Sequence, residues 1–376
     1  MNVGEFKKQQ MQDFSQQKTD FKSYKKKQEN EFKKYQKAQK KAFNNYKKEI
    51  SAFWKTPKMS TKKSWVAYSK DKRTRTNVDF LKETIVVETI ALSKKDAEQK
   101  LKLVLAKIVT INNKTVQETD PLERKLDKIK KPNGIITAKV KADPILSIVV
   151  FNNKPTKKSI KNYVNEKVKL NNITITKSKI GPTKNVYSIK IQMPKDAMLK
   201  RSRLYYDEIR KHASIQKMPA SLIFAIMQTE SSFNPRARSH TPAYGLMQIV
   251  PRTAGIDTYK YLYNKKRLVS SSYLYNSKNN ITMGSAYLHI LYYRYLKHIK
   301  NPTSRLYCTI AAYNTGAGNI AWAFTRTYNM KKAAPYINKL TPKQVYNKLL
   351  KNLRYDEPKH YLKRVSNRMI VYGKIY

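Results

Sequence analysis

The stretch "MQTESSFNPRARSHTPAYGLMQIVP", residues 227–251, contains one acid, Glu230. From Ile209 to the C-terminus the acids are Glu230, Asp257, Asp356 and Glu357, set against 28 lysines and arginines. An apolar setting keeps the proton on a carboxyl by penalising its charged form, whereas nearby cations pull the proton off. Where burial wins, the group can act as a general acid near neutral pH, and its conjugate base can take a proton back. The expectation is a buried Glu230 with a raised pKa despite strongly positive surroundings.

The residues before it indicate how Glu230 is held. "MPASLIFAIMQTE" reads as a helix, with Pro219 suited to the first helical position. Ile223, Ile226, Met227 and Glu230 fall at i, i+3, i+4 and i+7 and share one face. Asn234–Pro235 follows as a stop. A glutamate at the C-terminal end of a helix opposes the helix dipole, which weakens the alternative of a solvated helix-end residue.

Composition narrows the possibilities. The chain has 376 residues and a formal net charge of +53, far beyond an ordinary domain. Such a field concentrates anions: nucleic acid, anionic lipid or an acidic cell-wall polymer. The abundance of Lys, Asn, Ile and Tyr also fits an AT-rich genome, so charge alone names no partner. Cys308 is the only cysteine, which excludes an intrachain disulfide, and its apolar setting marks it as a buried structural residue. With five histidines and few acids, no metal site and no cofactor are expected. No segment has the apolar run of a membrane helix. The start "MNVGEFKKQQ" lacks the apolar region of a signal peptide.

Three regions follow from patterning. Residues 1–56 carry Phe21 and Tyr24, Phe32 and Tyr35, Phe43 and Tyr46, then Trp54. The eleven-residue repeat places these aromatics in a nearly straight stripe on one long basic helix. Residues 57–193 read as a smaller α+β domain. "TNVDFLKETIVVETIAL" suggests a hairpin around Lys82–Glu83. "SKKDAEQKLKLVLAKIV" suggests a helix capped at Ser93, with Ala97, Leu101, Leu105 and Ile108 on one face. "NGIITAKVKA" and "ILSIVVF" suggest two strands, and "TKKSIKNYVNEKV" a short helix. "NITITKSKI" and "NVYSIKIQM" suggest a closing strand pair around Gly181–Pro182. Residues 194–376 read as an all-α domain.

"ESSFNP", "AYGLMQIVPRTA", "NNITMGSAYL", "AAYNTGAGNI" and "EPKHYLKRV", in that order, resemble the lysozyme-like transglycosylase family that cleaves murein. The resemblance implies a lysozyme-like catalytic domain with Glu230 as catalytic acid/base. It implies that Ser239, Met247 and Gln248 line the substrate groove. Tyr313 and Asn314 match "AYN" and would frame the glutamate and the sugar. Glu357 and Tyr361 match the last motif, with Glu357 expected to orient Tyr361. Val250, Thr315 and Pro358 depart from the family pattern without touching the acid. The fold class expected is α+β: an all-α lysozyme-like catalytic domain preceded by a smaller α+β domain and a long basic N-terminal helix.

Most glycosidases use two carboxylates, about 5–5.5 Å apart if retaining or about 6.5–9.5 Å if inverting. The scarcity of acids disfavours such a pair. The resemblance supplies a one-acid reaction, the non-hydrolytic cleavage of the MurNAc–GlcNAc β-1,4 bond to a 1,6-anhydromuramoyl end. The expected partners are peptidoglycan glycan strands and the anionic cell-wall surface, with nucleic acid not expected. The expected location is the periplasm, associated with the outer membrane through an N-terminal lipid anchor and export segment that this chain does not carry. A hydrolytic muramidase, or a non-catalytic basic protein binding cell wall or nucleic acid, remain the alternatives.

Overall fold

The computed structural model describes residues 29–376. Phe21 and Tyr24 of the aromatic repeat lie outside the described residues. Helix α1 covers residues 29–51, and of the rest of the stripe Phe32, Tyr35, Tyr46 and Trp54 are buried, with Ile50 between, while Phe43 is half-buried. One end of α1 lies on the sheet described next, where Tyr46 meets Tyr68 edge-on at 6.2 Å. Farther along, Phe43 and Phe32 lie under the guanidinium groups of Arg238 and Arg252, at 5.2 and 4.9 Å. The helix therefore bridges the two halves of the molecule.

Strands β1 (Ser64–Tyr68), β2 (Thr74–Asp79) and β3 (Thr84–Ala91) form a meander. Glu83 turns the β2–β3 hairpin with a left-handed φ of 54°. Helices α2 (Lys94–Thr110), α3 (Asn113–Thr119), α4 (Pro121–Asp127), α5 (Ser147–Val150) and α6 (Lys157–Lys167) follow. Strands β4 (Thr174–Lys177) and β5 (Asn185–Gln192) complete an antiparallel sheet in the order β1-β2-β3-β5-β4. Alternation along the strands gives the sheet two apolar faces. Ile85, Val87, Ile189 and Ile191 pack on Leu101 and Leu105 of α2. Val66, Tyr68 and Ile90 pack on Tyr46, Ile50 and Trp54. Ser93 caps α2 by accepting from the Asp96 amide, as its position suggested.

Two of the expected strands are absent. "ILSIVVF" contains the short helix α5, burying Leu146 and Val149. Periodicity alone does not separate a short apolar run from a helical turn. "NGIITAKVKA" is an irregular connector, in which Ile136 forms one bridge to Val269. Its polar backbone is satisfied by the helical half, with Ile136 N–H donating to Leu268 O at 2.8 Å. A strand needs a sheet neighbour, and sequence could not show that this segment had left the sheet.

The helical half contains α7 (Ala197–Arg203), α8 (Tyr206–Gln216), α9 (Ala220–Ser231), α10 (Ile256–Tyr263), α11 (Ser271–Tyr275) and α12 (Ser277–Ile290). It continues with α13 (Pro302–Thr315), α14 (Ala317–Thr325), α15 (Met330–Asn338), α16 (Pro342–Asn352) and α17 (Asp356–Ile375). The fold class is thus α+β, with the sheet and its covering helices in one half and an all-helical half after it. Helix α9 runs through the middle. Leu222 to Met227 are all buried, so the helix is enclosed all round rather than along one stripe. Helix α17 lies along it, stacking Tyr372 and Tyr376 on Phe224 at 5.2 and 4.5 Å. Cys308 is buried inside α13.

Candidate active site

Pro219 stands just before α9, with extended ψ, and serves as its N-cap rather than its first helical residue. At the other end the helix stops at Ser231, before Asn234–Pro235. Ser232 and Phe233 take left-handed φ values of 53° and 60°, and this reverses the backbone immediately after Ser231. Two successive non-glycine residues in that region are costly, and the surrounding contacts hold them there. Ser231 Oγ donates to Leu246 O at 2.7 Å, tying the helix end to the loop that follows.

That loop is built around Gly245 and Asn280. Gly245 has φ +74°, and a Cβ there would lie 2.4 Å from both Asn280 Nδ2 and Leu274 O. Only glycine permits this approach. Asn280, fully buried on α12, donates to Tyr244 O at 2.8 Å and Leu274 O at 2.9 Å. It accepts from Met247 N–H at 2.7 Å. One side chain therefore satisfies two backbone groups of the loop and one of α11.

Glu230 lies within this frame. Its residue exposure is 5 %. Burial pushes its carboxyl above the ordinary glutamate value. Lys62, the Tyr361 hydroxyl and Lys63 pull it down, Glu357 pushes it up, and the net direction is upward. Lys62 Nζ lies 3.5 Å from Glu230 Oε2. Tyr361 is buried on α17 with its hydroxyl turned toward Glu230. That hydroxyl makes no hydrogen bond of full geometry, although it is near enough to favour the carboxylate. Burial, then the charge of Glu230, raises the Tyr361 phenol well above its ordinary value.

The other expected residues divide. Tyr313 on α13 donates from its hydroxyl to Met247 O at 2.8 Å, and burial followed by Glu230 raises its pKa well above normal. Asn314 is half-buried beside it. Gln248 has a left-handed φ of 51° and donates from Nε2 to Gly245 O at 2.9 Å. Its Oε1 is buried without a protein donor, an arrangement suited to receiving an N–H from a bound molecule. Ser239 Oγ accepts from Ala243 N–H at 3.0 Å and closes its own turn. Ser239 also lines a groove of about 780 Å³, whose other walls include Gln39, Lys40 and Phe43 of α1 and Met59 to Lys63.

Two expectations need correction. Met247 was expected beside Gln248 in the groove, but it is wholly buried. Its side chain fills the space above Gly284, where an added Cβ would fall 2.2 Å from its sulfur. It meets the site through its backbone, as acceptor to Tyr313. Glu357 was expected to orient Tyr361, but it is exposed and pairs with Arg364 at 3.2 Å. The first turn of α17 points it outward, and its effect on Glu230 is electrostatic.

Sequence reading missed Lys62, whose ammonium lies 3.5 Å from the acid, and three further contributors. Asn280 lies inside the quoted motif "NNITMGSAYL", and a buried asparagine there was a usable signal. Arg368 Nη1 donates to Thr229 Oγ1 at 2.7 Å, one residue before the acid. Lys63 Nζ donates to Gln228 O at 2.8 Å and Thr229 O at 2.5 Å, across more than 160 residues of chain. No local pattern indicates that contact.

Among known families, the model of the transglycosylase SLT domain matches residues 207–335. A membrane-bound lytic murein transglycosylase C of Sodalis glossinidius is 44 % identical over 184 residues, covering 49 % of this chain and 51 % of that protein. In that alignment the chain spans about half the relative's length. The protein of the same name from Klebsiella pneumoniae is 35 % identical over 313 residues, covering 81 % of this chain and 80 % of the relative. The 70 kDa soluble lytic transglycosylase of Escherichia coli, solved by crystallography, is 25 % identical over 48 % of this chain and 26 % of its own, with a TM-score of 0.36. On the identity sustained through most of both chains in the Klebsiella comparison, this chain belongs to the membrane-bound lytic murein transglycosylase C family.

Proposed function

We propose that the protein is a peptidoglycan lytic transglycosylase in which Glu230 serves as single acid and base. The observation that carries this reading is a buried carboxyl with a raised pKa at the end of α9. The acid that acts on it, Glu357, is exposed and engaged with Arg364. Two-carboxylate hydrolysis needs a second group aimed at the sugar, and Glu357 is poorly disposed for that.

In the first half of the reaction Glu230 gives its proton to the oxygen between N-acetylmuramic acid and N-acetylglucosamine, and the C1–O bond breaks. The oxygen of the substrate's 2-acetamido group stabilises the cationic C1. In the second half the Glu230 carboxylate removes the proton of the muramoyl 6-hydroxyl, whose oxygen attacks C1. The proton lost in the first half is recovered, no water is consumed, and a 1,6-anhydro ring results. Burial makes Glu230 an adequate acid, and Lys62 with the Tyr361 hydroxyl offsets its charge when it must be a base. Gln248, Ser239, Tyr313 and Asn314 would hold the sugar and its acetamido group.

The relatives' name carries membrane association and murein as substrate, and we extend both to this chain, in the periplasm at the outer membrane. Among the described residues no helix is long and apolar enough to cross a membrane. Mass spectrometry of fragments released from purified sacculi tests the reading. Anhydromuramoyl ends are expected. Reducing muramic acid ends would establish a hydrolase instead.

A further inference from the structure

The acid of the site stands in the helical half, yet two of the charges closest to it come from elsewhere. Lys62 and Lys63 belong to the segment that leads into β1, outside the residues matched by the SLT family. That segment is fixed on both sides. Phe80 N–H donates to Lys63 O at 2.8 Å, holding it to the sheet. Asn234 Nδ2 donates to Lys62 O at 3.4 Å and Arg238 N–H to Thr61 O at 3.4 Å, holding it to the loop after Glu230.

The two side chains divide the task. Lys63 Nζ faces Gln228 O, Thr229 O and Ser232 Oγ at 2.8, 2.5 and 3.3 Å. Three acceptors meet the three donors of one ammonium; Gln228 O also takes the Ser232 N–H at 3.0 Å, and Thr229 O is a carbonyl left open at the end of the helix. A cation there also complements the negative end of the helix dipole. Lys62 reaches past it to Glu230 Oε2 at 3.5 Å.

We propose that Lys62 and Lys63 are positioning residues for Glu230: Lys63 fixes the last turn of α9, and Lys62 balances the carboxylate's charge. The inference rests on the reading of Glu230 as acid and base. It makes the proton affinity of the acid a property that the α+β half sets for the helical half.

The groups facing Glu230 are these. From the segment before β1 come Lys62 and Lys63, from α17 come Tyr361 and Glu357, and the Tyr313 phenol comes from α13. Arg368 and Arg364 of α17 act in turn on Lys63. Lys63 is brought down to about 7, by burial foremost; Glu230 opposes this, and Arg368, Lys62 and Arg364 add to the lowering. The charge of each of Lys63 and Glu230 therefore bears on the titration of the other. A cation within 4 Å favours the charged carboxylate, so removing Lys62 must raise the Glu230 pKa.

The test is a side-chain carboxyl titration by NMR of the full chain with carbon-13 in its glutamates, Glu230 being identified through Glu230→Gln. Lys62→Met is expected to move the Glu230 titration up by roughly one pH unit, the scale of a partly screened ion pair at this distance. Lys62→Arg keeps the charge and is expected to leave it in place. The alkaline limb of the pH profile for lysis of sacculi should shift upward by the same amount in Lys62→Met. A purely structural lysine would move neither. Lys63→Met is expected to lower kcat while leaving KM unchanged. An unmoved titration in Lys62→Met overturns the assignment of Lys62, and an unchanged kcat in Lys63→Met overturns that of Lys63. Unimpaired lysis by Glu230→Gln overturns the reading of the site instead, and the titration reports independently of it.

Discussion

Glu230→Gln is expected to reduce murein lysis by about a thousandfold or more, since in the proposed reaction one group supplies both proton transfers. It is also expected to leave the fold at least as stable as before. The sign follows from the raised pKa. A carboxyl that holds its proton more tightly when folded disfavours the fold once the pH rises above its unfolded value, and the cost is complete above its folded value. Glutamine has no such cost. At pH 7 the variant's melting midpoint should equal or exceed that of the parent, and the gain should vanish below the ordinary glutamate pKa of about 4.3. Differential scanning calorimetry at pH 7 and pH 3.5, beside an activity assay, reads both. A variant that is inactive because it is unfolded, or active with its fold intact, would each refute the role given to this residue.

The second large effect concerns the join between the halves. Arg236, 3 % exposed, follows the reversed backbone after α9. Its Nη2 lies 2.9 Å from Glu123 Oε1 of α4, and its Nη1 donates to Gln117 Oε1 at 3.0 Å. Its guanidinium also covers the ring of Tyr275 at 3.9 Å. Arg236→Ala leaves the Glu123 carboxylate, 8 % exposed, without its cation. Breaking such a buried pair from one side costs about 3–5 kcal/mol. For a protein of this size the midpoint should fall by on the order of 10 °C. Thermal melts of Arg236→Ala and Arg236→Lys make the comparison. The lysine keeps the charge but loses the fork, so it should fall between parent and alanine. A loss within 1 kcal/mol for alanine would show that the pair does not hold the halves together.

Much of this architecture was legible from local pattern. The eleven-residue aromatic repeat predicted a stripe along one helix, and its Phe32, Tyr35, Tyr46 and Trp54 are buried. Ser93 predicted a cap, and it caps. Glu230 was expected to be buried with a raised pKa, and both hold. Apart from the short apolar run of α5, the misreadings turn on a partner that the local pattern did not reveal. Ile136 left the sheet because Val269 was available to it. Met247 is sealed away because Gly284 leaves room for its sulfur. Glu357 turned outward because Arg364 lies two turns farther along the same helix. Lys62 and Lys63 came from the other half, and nothing in "STKKSW" distinguishes them from the many other lysines of the chain.

Arg201 has a consequence of a different kind. It is 2 % exposed, on α7, and it reaches Phe80 O at 3.0 Å and Glu83 Oε1 at 3.1 Å in the hairpin of the sheet. From the same fork Nε donates to Ser232 O at 3.3 Å, in the reversal behind the acid. Neither half can melt alone without stranding a buried guanidinium. Heating should therefore give one calorimetric peak, with equal van't Hoff and calorimetric enthalpies, and two resolved peaks would contradict it. A protein assembled this way loses Glu230's setting and its sheet in a single event, so no partly unfolded form that keeps the candidate site accumulates on the way.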